Sequence, residues 1–307
     1  MSSRIACLTL PLAALAGILP AASAQQTLQA SLRAQMEVEL ARVAGRLDGV
    51  VGYAIKDLSS GETFFRLPDA VFPQASSIKL AVLLELMRQA QEAKISFDEK
   101  HTIRGSERTV GDQEPILNML GDGTATMTLR DLAVFMVVLS DNTATNILVD
   151  RLGMDNINAG LTRLGLKETK LRRRMIDLEA ARQGNENVST PREMMILLEK
   201  IRSGEALGPA YTAEFFRILR LPKDSPFRRA LPKGVIVADK PGSLDAVSCD
   251  AGIVEIPGHP FILCVMTTYL RHNGDGERAV EEVARLAYAY FDRLSRASSY
   301  GRVIPEK

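Results

Sequence analysis

The sequence predicts an α+β fold: an antiparallel sheet built from both chain ends and flanked by helices, with an all-helical lobe between. Three observations predict it. Strand-like runs occur near the start and again in the last third, the middle is helical, and one middle helix is apolar on nearly every side. A helix of that last kind is stable only inside a large core.

The elements follow in order. In Thr27–Arg46, residues Leu28, Leu32, Met36, Leu40 and Val43 (with Leu47 just beyond) recur at spacings of three and four, which gives a helix one apolar face. Val50–Lys56 and Glu62–Arg66 read as strands joined by the turn Ser59-Ser60-Gly61. From Ser76 to about Lys94 the apolar residues Ile78, Leu80, Val82, Leu83, Leu84, Leu86 and Met87 leave no polar face, so this is the buried helix. Thr128 and Asp131 form a capping box ahead of Leu129–Leu139. Thr143–Leu152 is a helix stopped by Gly153, and Thr190-Pro191 opens another with proline at its first position. Lys170–Ser189 between them is arginine-rich and aperiodic, and predicts a long surface loop. Val235–Asp239, Ser248–Ile256 and Phe261–Tyr269 are strands, and Glu277–Arg296 is an amphipathic helix.

Composition removes several functions. The chain has 307 residues with 38 basic against 37 acidic side chains, 46% hydrophobic and 24% charged, a globular balance rather than a disordered one. A formal charge of +1 gives no footprint for nucleic acid. No Trp and 5% aromatics argue against a base- or sugar-stacking surface. Residues 1–24 carry Arg4, an apolar run from Ile5 to Leu19 and the small-residue site Ala22-Ser23-Ala24, the pattern of a cleavable export signal. The expectation is a periplasmic or secreted mature chain, 25–307, with no membrane association after cleavage and a monomeric state. Within it the expected α/β subdomain is 25–74 plus 216–307 and the helical subdomain is 75–215. Cys249 and Cys264 fall in two strands of one hairpin but not opposite each other, so both are expected as free buried thiols. His101, His259 and His272 are scattered, expected in exposed loops, and have no metal-ligand spacing; neither metal nor cofactor is expected.

Three short motifs carry chemistry. In Ser76-Ser77-Ile78-Lys79 a hydroxyl and an ammonium lie three residues apart, neighbours on one helix face. A serine becomes nucleophilic when a base takes its proton, and a lysine in an apolar helix loses enough of its charge to be that base. In Ser140-Asp141-Asn142, between two helices, a hydroxyl and an amide can pass a proton and grip a substrate amide. In Lys240-Pro241-Gly242-Ser243, at the end of a strand-like run, lysine supplies positive charge and glycine lets a substrate backbone approach. Each alone is explained as readily by a helix cap, a snorkelling lysine or a charged turn.

Their order, S-x-x-K, then S-D-N, then K-x-G, resembles the class A β-lactamases and penicillin-binding proteins. Phe72–Ala75 before the serine, Thr128–Leu152, and Thr190-Pro191 with Met194 are also similar to that superfamily, so the likeness spans roughly residues 30–295. It implies a β-lactamase/transpeptidase-like fold and a serine hydrolase that opens a β-lactam ring through an acyl-enzyme, hence antibiotic resistance. A penicillin-binding-protein-like DD-peptidase acting on peptidoglycan-like substrate is the alternative. Ser76 would be the nucleophile, Lys79 its base, directly or through water, and Ser140 the proton relay to the leaving nitrogen. Asn142 would hold the substrate amide and orient Lys79. Lys240 would face the substrate carboxylate, Gly242 would allow close approach, and the Ser76 and Ser243 amides would form the oxyanion hole.

Departures from the family pattern are informative. The family's loop glutamate, which hydrolyses the acyl-enzyme, falls on Arg174 counting back from Pro191 and on Met175 counting from Leu171. Neither is an acid. Asp177 is the expected substitute and Glu179 the next candidate. Asn187 replaces the loop-closing aspartate. Pro241 removes a hydroxyl for the substrate carboxylate, which Ser243 is placed to replace, and Arg271 and Arg278 are candidate carboxylate-binding arginines.

Overall fold

The computed structural model describes residues 22–109, 117, 124–298 and 300–303. The expected export signal therefore lies outside the described residues except for its last three. Helix α1 spans Ala22–Arg46, starting ahead of the expected cleavage point. It is followed by β1 (Val50–Asp57), β2 (Thr63–Arg66) and β3 (Phe72–Pro73), a 3₁₀ turn at Ala75–Ile78, and α2 (Lys79–Gln91). Next come β4 (Lys100–Ile103), β5 (Ala125–Thr128), α3 (Leu129–Val138), α4 (Asn142–Leu152), α5 (Met154–Arg163), α6 (Leu178–Arg182) and β6 (Val188–Ser189). The chain ends with α7 (Pro191–Arg202), α8 (Pro209–Arg220), α9 (Pro226–Ala230), β7 (Ile236–Leu244), β8 (Val247–Glu255), β9 (Phe261–Thr268) and α10 (Asn273–Arg296).

The main sheet has five strands in the order β2-β1-β9-β8-β7, with all neighbours antiparallel. Both chain ends build it, as expected. Because side chains alternate along a strand, each strand feeds two cores. Val51, Tyr53, Ile55, Leu263 and Val265 face α1 and α10, where they pack with Leu40, Val280 and Phe291. Ala54, Ala251, Ile253, Cys264 and Met266 face the helices of the other side. There α2 is buried along almost its whole length, with Leu80, Val82, Leu83, Leu86 and Met87 at 5% exposure or less. Each such side chain contributes about 1.5–3 kcal/mol relative to leaving it exposed, so α2 forms a rigid mount for whatever its first turn carries. Leu28, by contrast, projects into solvent, so the apolar stripe of α1 meets the core only from Leu32 onward.

Local signals formed where expected. Thr128 caps α3 with Asp131, Thr190 caps α7 by accepting from Glu193 N, and Gly153 ends α4 at φ +86°. Cys249 pairs with Met266 and Ala251 with Cys264, so the two cysteines are diagonal, buried and free.

Four expectations are corrected. Ser76 begins no α-helix; it lies in the 3₁₀ turn, and the α-helix starts at Lys79. Residues 170–189 are not a plain surface loop: they contain α6 and β6 and bury Leu171, Arg173, Met175 and Asn187. The Lys240–Ser243 motif does not follow a strand that stops at Asp239 but lies inside edge strand β7, which runs on to Leu244. His101 sits in strand β4, bonded to Glu107, rather than in a loop.

Candidate active site

The first turn of α2, the α3–α4 junction, strand β7 and the 170–189 segment meet at one place. Ser76 is half-buried at the top of the 3₁₀ turn. That turn is held from beneath by groups the sequence did not announce. Ser77 Oγ donates to the backbone and side-chain oxygens of Gln74 (2.7 Å each), and Gln74 Nε2 donates to Met266 Sδ (3.1 Å). Cys249 Sγ donates to Gln74 O (3.2 Å). Burial pushes the Cys249 thiol up to about 11, so it is a structural donor and not a competing nucleophile.

Lys79 is wholly buried. Its ammonium donates to Ser140 O (2.7 Å), Asn142 Oδ1 (3.0 Å) and Ser140 Oγ (3.1 Å). The expected contact with Ser76 is corrected here: none of these three partners is the Ser76 hydroxyl. The lysine crosses to the α3–α4 junction because three acceptors converge there, which a single hydroxyl one turn away does not match. Burial first, and the neighbouring Lys240 charge second, hold the Lys79 ammonium well below its ordinary 10.5, with Asp141 opposing.

Ser140 has φ +54° and Ala75, beside the nucleophile, φ +43°. Neither is glycine, so both positions carry backbone strain of the kind that concentrates at functional sites. Asp141 explains the junction: its carboxylate caps α4 by accepting from Ala144 N (2.8 Å), leaving Ser140 and Asn142 to point at Lys79.

Lys240 is also buried and comes from the opposite wall. Its Nζ donates to Ser140 Oγ (3.1 Å) and to Pro241 O (2.8 Å), so one serine hydroxyl bridges two lysines. Burial pushes the Lys240 ammonium down to about 8. On the other face of the sheet, burial and the Asp239 charge hold the Asp250 carboxyl well above its ordinary range. Asp239 Oδ2 and Asp250 Oδ1 both lack protein partners there.

Strand β7 passes directly over the nucleophile. A Cβ added at Gly242 would lie 2.7 Å from Ser76 N, 2.8 Å from Ser77 N and 3.0 Å from Cys249 Sγ. Pro241 sits within this edge strand opposite Asp250, and a proline fits there because its missing N–H would face the open edge. With a period of two, the Ser243 N–H faces that same open edge. Gly242→Ala is therefore expected to push β7 off the Ser76 amide. Loss of an oxyanion donor costs about 3 kcal/mol, a hundredfold or more in rate, and stopped-flow acylation by a chromogenic cephalosporin reads it directly.

The 170–189 segment forms the remaining wall. Asn187 is buried and accepts from Arg172 N (2.7 Å) and Arg173 N (3.0 Å) while donating to Arg173 O (3.2 Å). Its backbone oxygen accepts from Gln74 N (2.9 Å), which ties the loop to the Ser76 turn. Asn146 Oδ1 accepts from Met175 N (2.8 Å) and its Nδ2 donates to Met175 O (3.2 Å). Asn146 lies one helical turn beyond Asn142 on α4, a spacing that puts both amides on one face; that signal was present in the sequence and unread. The loop residue tied to α4 next along from Asn142 is therefore Met175, the second of the two positions counted above. Asp177 is exposed and caps α6 by accepting from Ala180 N (3.0 Å), so its carboxylate already has a structural task. Glu179 pairs with Arg182 on the surface. Arg271 pairs with Asp48 and Arg278 with Asp275, both at the surface. Among the described residues, no group of three His, Cys, Asp or Glu is arranged to hold a metal ion.

A sheet carrying helices on both faces, with these motifs at their junction, has the architecture of the β-lactamase and penicillin-binding superfamily. The structure of PBP-A superposes with a TM-score of 0.76 at 26% identity, covering 84% of this chain and 96% of that one. A β-lactamase from Sphaerobacter thermophilus superposes with a TM-score of 0.75 at 26% identity, covering 83% and 97%. The chain belongs to the Beta-lactamase enzyme family, whose sequence model matches residues 35–291. In sequence it is 28% identical to beta-lactamase SME-1 of Serratia marcescens over 255 residues, covering 80% of this chain and 85% of that protein. It is 27% identical to beta-lactamase CTX-M-97 of Escherichia coli, covering 81% and 85%. The protein is thus a hydrolase-family enzyme of the class A type.

Proposed function

We propose that the protein is acylated at Ser76 by β-lactams, opening the ring, and that it releases the product slowly. The observation that carries this reading is the Ser140 hydroxyl placed 3.1 Å from both Lys79 Nζ and Lys240 Nζ. Ser76 Oγ attacks the lactam carbonyl and its proton passes to Lys79, directly or through water, desolvation having lowered that amine's hold on its own proton. The Ser76 and Ser243 amides receive the oxyanion. As the C–N bond breaks, the Ser140 hydroxyl gives its proton to the lactam nitrogen and recovers one from the lysine side. Lys240 retains its charge for the substrate carboxylate, and Asn142 keeps Lys79 aimed while offering its amide to the substrate side chain.

Hydrolysis of the ester needs a base for water. Met175, whose backbone is held by Asn146 one turn beyond Asn142, carries a thioether and cannot serve. This favours a second reading in the same site: a penicillin-binding, DD-peptidase-like enzyme in which the acyl group persists. A single-substitution mutant of PBP-A, 25% identical to this chain, was solved as an acyl-enzyme complex with penicillin G, which supports covalent capture by this fold. No helix among the described residues is long and apolar enough to cross a membrane. With the leader-like residues 1–24, we take the site of action to be the periplasm or the exterior.

Turnover of a chromogenic cephalosporin by wild type and not by Ser76→Ala tests the reading. Silence of both, with no covalent adduct, would remove it. The pH dependence has a defined sign. Lys240 must be charged to bind a carboxylate and loses its proton near pH 8, so acylation efficiency with penicillin is expected to fall as pH rises through that value. Lys79 must be uncharged to act as the base, and burial, with the Lys240 charge, moves its loss of a proton well below the ordinary 10.5.

A further inference from the structure

Asn273, the first residue of α10, makes three hydrogen bonds to the rim of β7. Its Nδ2 donates to Leu244 O (2.6 Å) and Ser243 Oγ (3.1 Å), and its Oδ1 accepts from Ala246 N (2.9 Å). One carboxamide therefore sets both the β7–β8 turn and the rotamer of Ser243. A hydroxyl has a single proton, and because Ser243 Oγ accepts from Asn273, that proton is left to point away, toward solvent and the open edge. Ser243 is exposed and, two residues from Pro241, lies on the same face of β7. Its hydroxyl thus stands on the face from which the proline has removed one. Arg271 and Arg278 pair with Asp48 and Asp275 at the surface, while Lys240 and Ser243 stand on the β7 strand itself.

We infer that Asn273 is a positioning residue for substrates bearing a carboxylate next to the scissile bond, acting by fixing the Ser243 hydroxyl as a donor. The inference rests on the acyl-donor reading of the cleft. Asn273 itself touches no reacting atom; it fixes the polarity of the hydroxyl that does.

The test compares acylation of the full chain by penicillin G and by its methyl ester, followed by intact mass. Wild type is expected to favour the acid. Asn273→Asp keeps the shape but turns a donor into an acceptor, so Ser243 now donates inward. The concentration of penicillin G for half-maximal acylation is expected to rise about tenfold, the size of one lost charge-assisted hydrogen bond, with little change for the ester and in the limiting rate. Asn273→Ala should lower the preference for the acid, and in a Ser243→Ala background it should add nothing. Equal losses for acid and ester in Asn273→Asp, or additive losses in the double variant, would overturn the inference and leave the cleft reading intact. Failure of wild type to acylate with either compound would overturn both.

Discussion

Replacing Lys79 by methionine is expected to slow acylation by about 10²–10⁴-fold, the contribution of a positioned general base. The variant is a sharp probe because the site should tolerate it structurally. Lys79 is wholly buried and its ammonium is disfavoured there by burial and by Lys240. A neutral side chain of similar length removes a charge that burial disfavours, which offsets the cost of leaving Ser140 O and Asn142 Oδ1 without their donor. It also relieves the second cause of the shift, the repulsion between the two lysines. Thermal unfolding should therefore stay within a few degrees of wild type while the burst of a chromogenic cephalosporin disappears. A folded variant that acylates at the wild-type rate would contradict the assignment of Lys79 as the proton acceptor.

The second large effect is a gain. Met175→Glu is expected to accelerate release of the acyl group by about 10²–10⁴-fold, because it supplies a general base at a loop position that carries none. The backbone of residue 175 is held by Asn146 through both N–H and C=O, so the new carboxylate inherits a fixed starting point whatever its side chain. Met175→Gln is the matching control: similar volume, no base, no acceleration. Single-turnover decay of the penicilloyl adduct in the three proteins separates the base from any loosening of the loop. Equal acceleration by glutamine would show that packing and not proton transfer had changed.

The fold was legible wherever one periodicity dominated. The alternating strands, the largely apolar α2 and the capped starts of α3 and α7 all stood in the sequence because each rests on local chemistry. The three motifs also placed Ser76, Lys79, Ser140, Asn142, Lys240 and Ser243 in one search. What could not be read was which acceptor each lysine would choose. That depends on Ser140 being held at positive φ by a junction that Asp141 caps from the far side, a tertiary matter. The 170–189 segment was misread for a related reason. Its arginines suggested solvent, yet Arg173 is buried against Glu186 and its backbone is closed by Asn187, contacts between residues more than ten apart. Asp177 drew attention as an acid near the right count, but a carboxylate three residues before an open helix N–H is first of all a cap. Asn273 was invisible because nothing in its neighbourhood reveals that β7 ends beside it.

The central claim is that Ser76 is a working nucleophile served by a desolvated lysine, with a methionine where a base for water would stand. Intact mass at intervals after adding penicillin G measures both halves. The expected result is a mass increase of one whole penicillin on Ser76, absent in Ser76→Ala, that forms promptly and outlasts the adduct of Met175→Glu. An unmodified protein at every time point, or an adduct that survives Ser76→Ala, would contradict it.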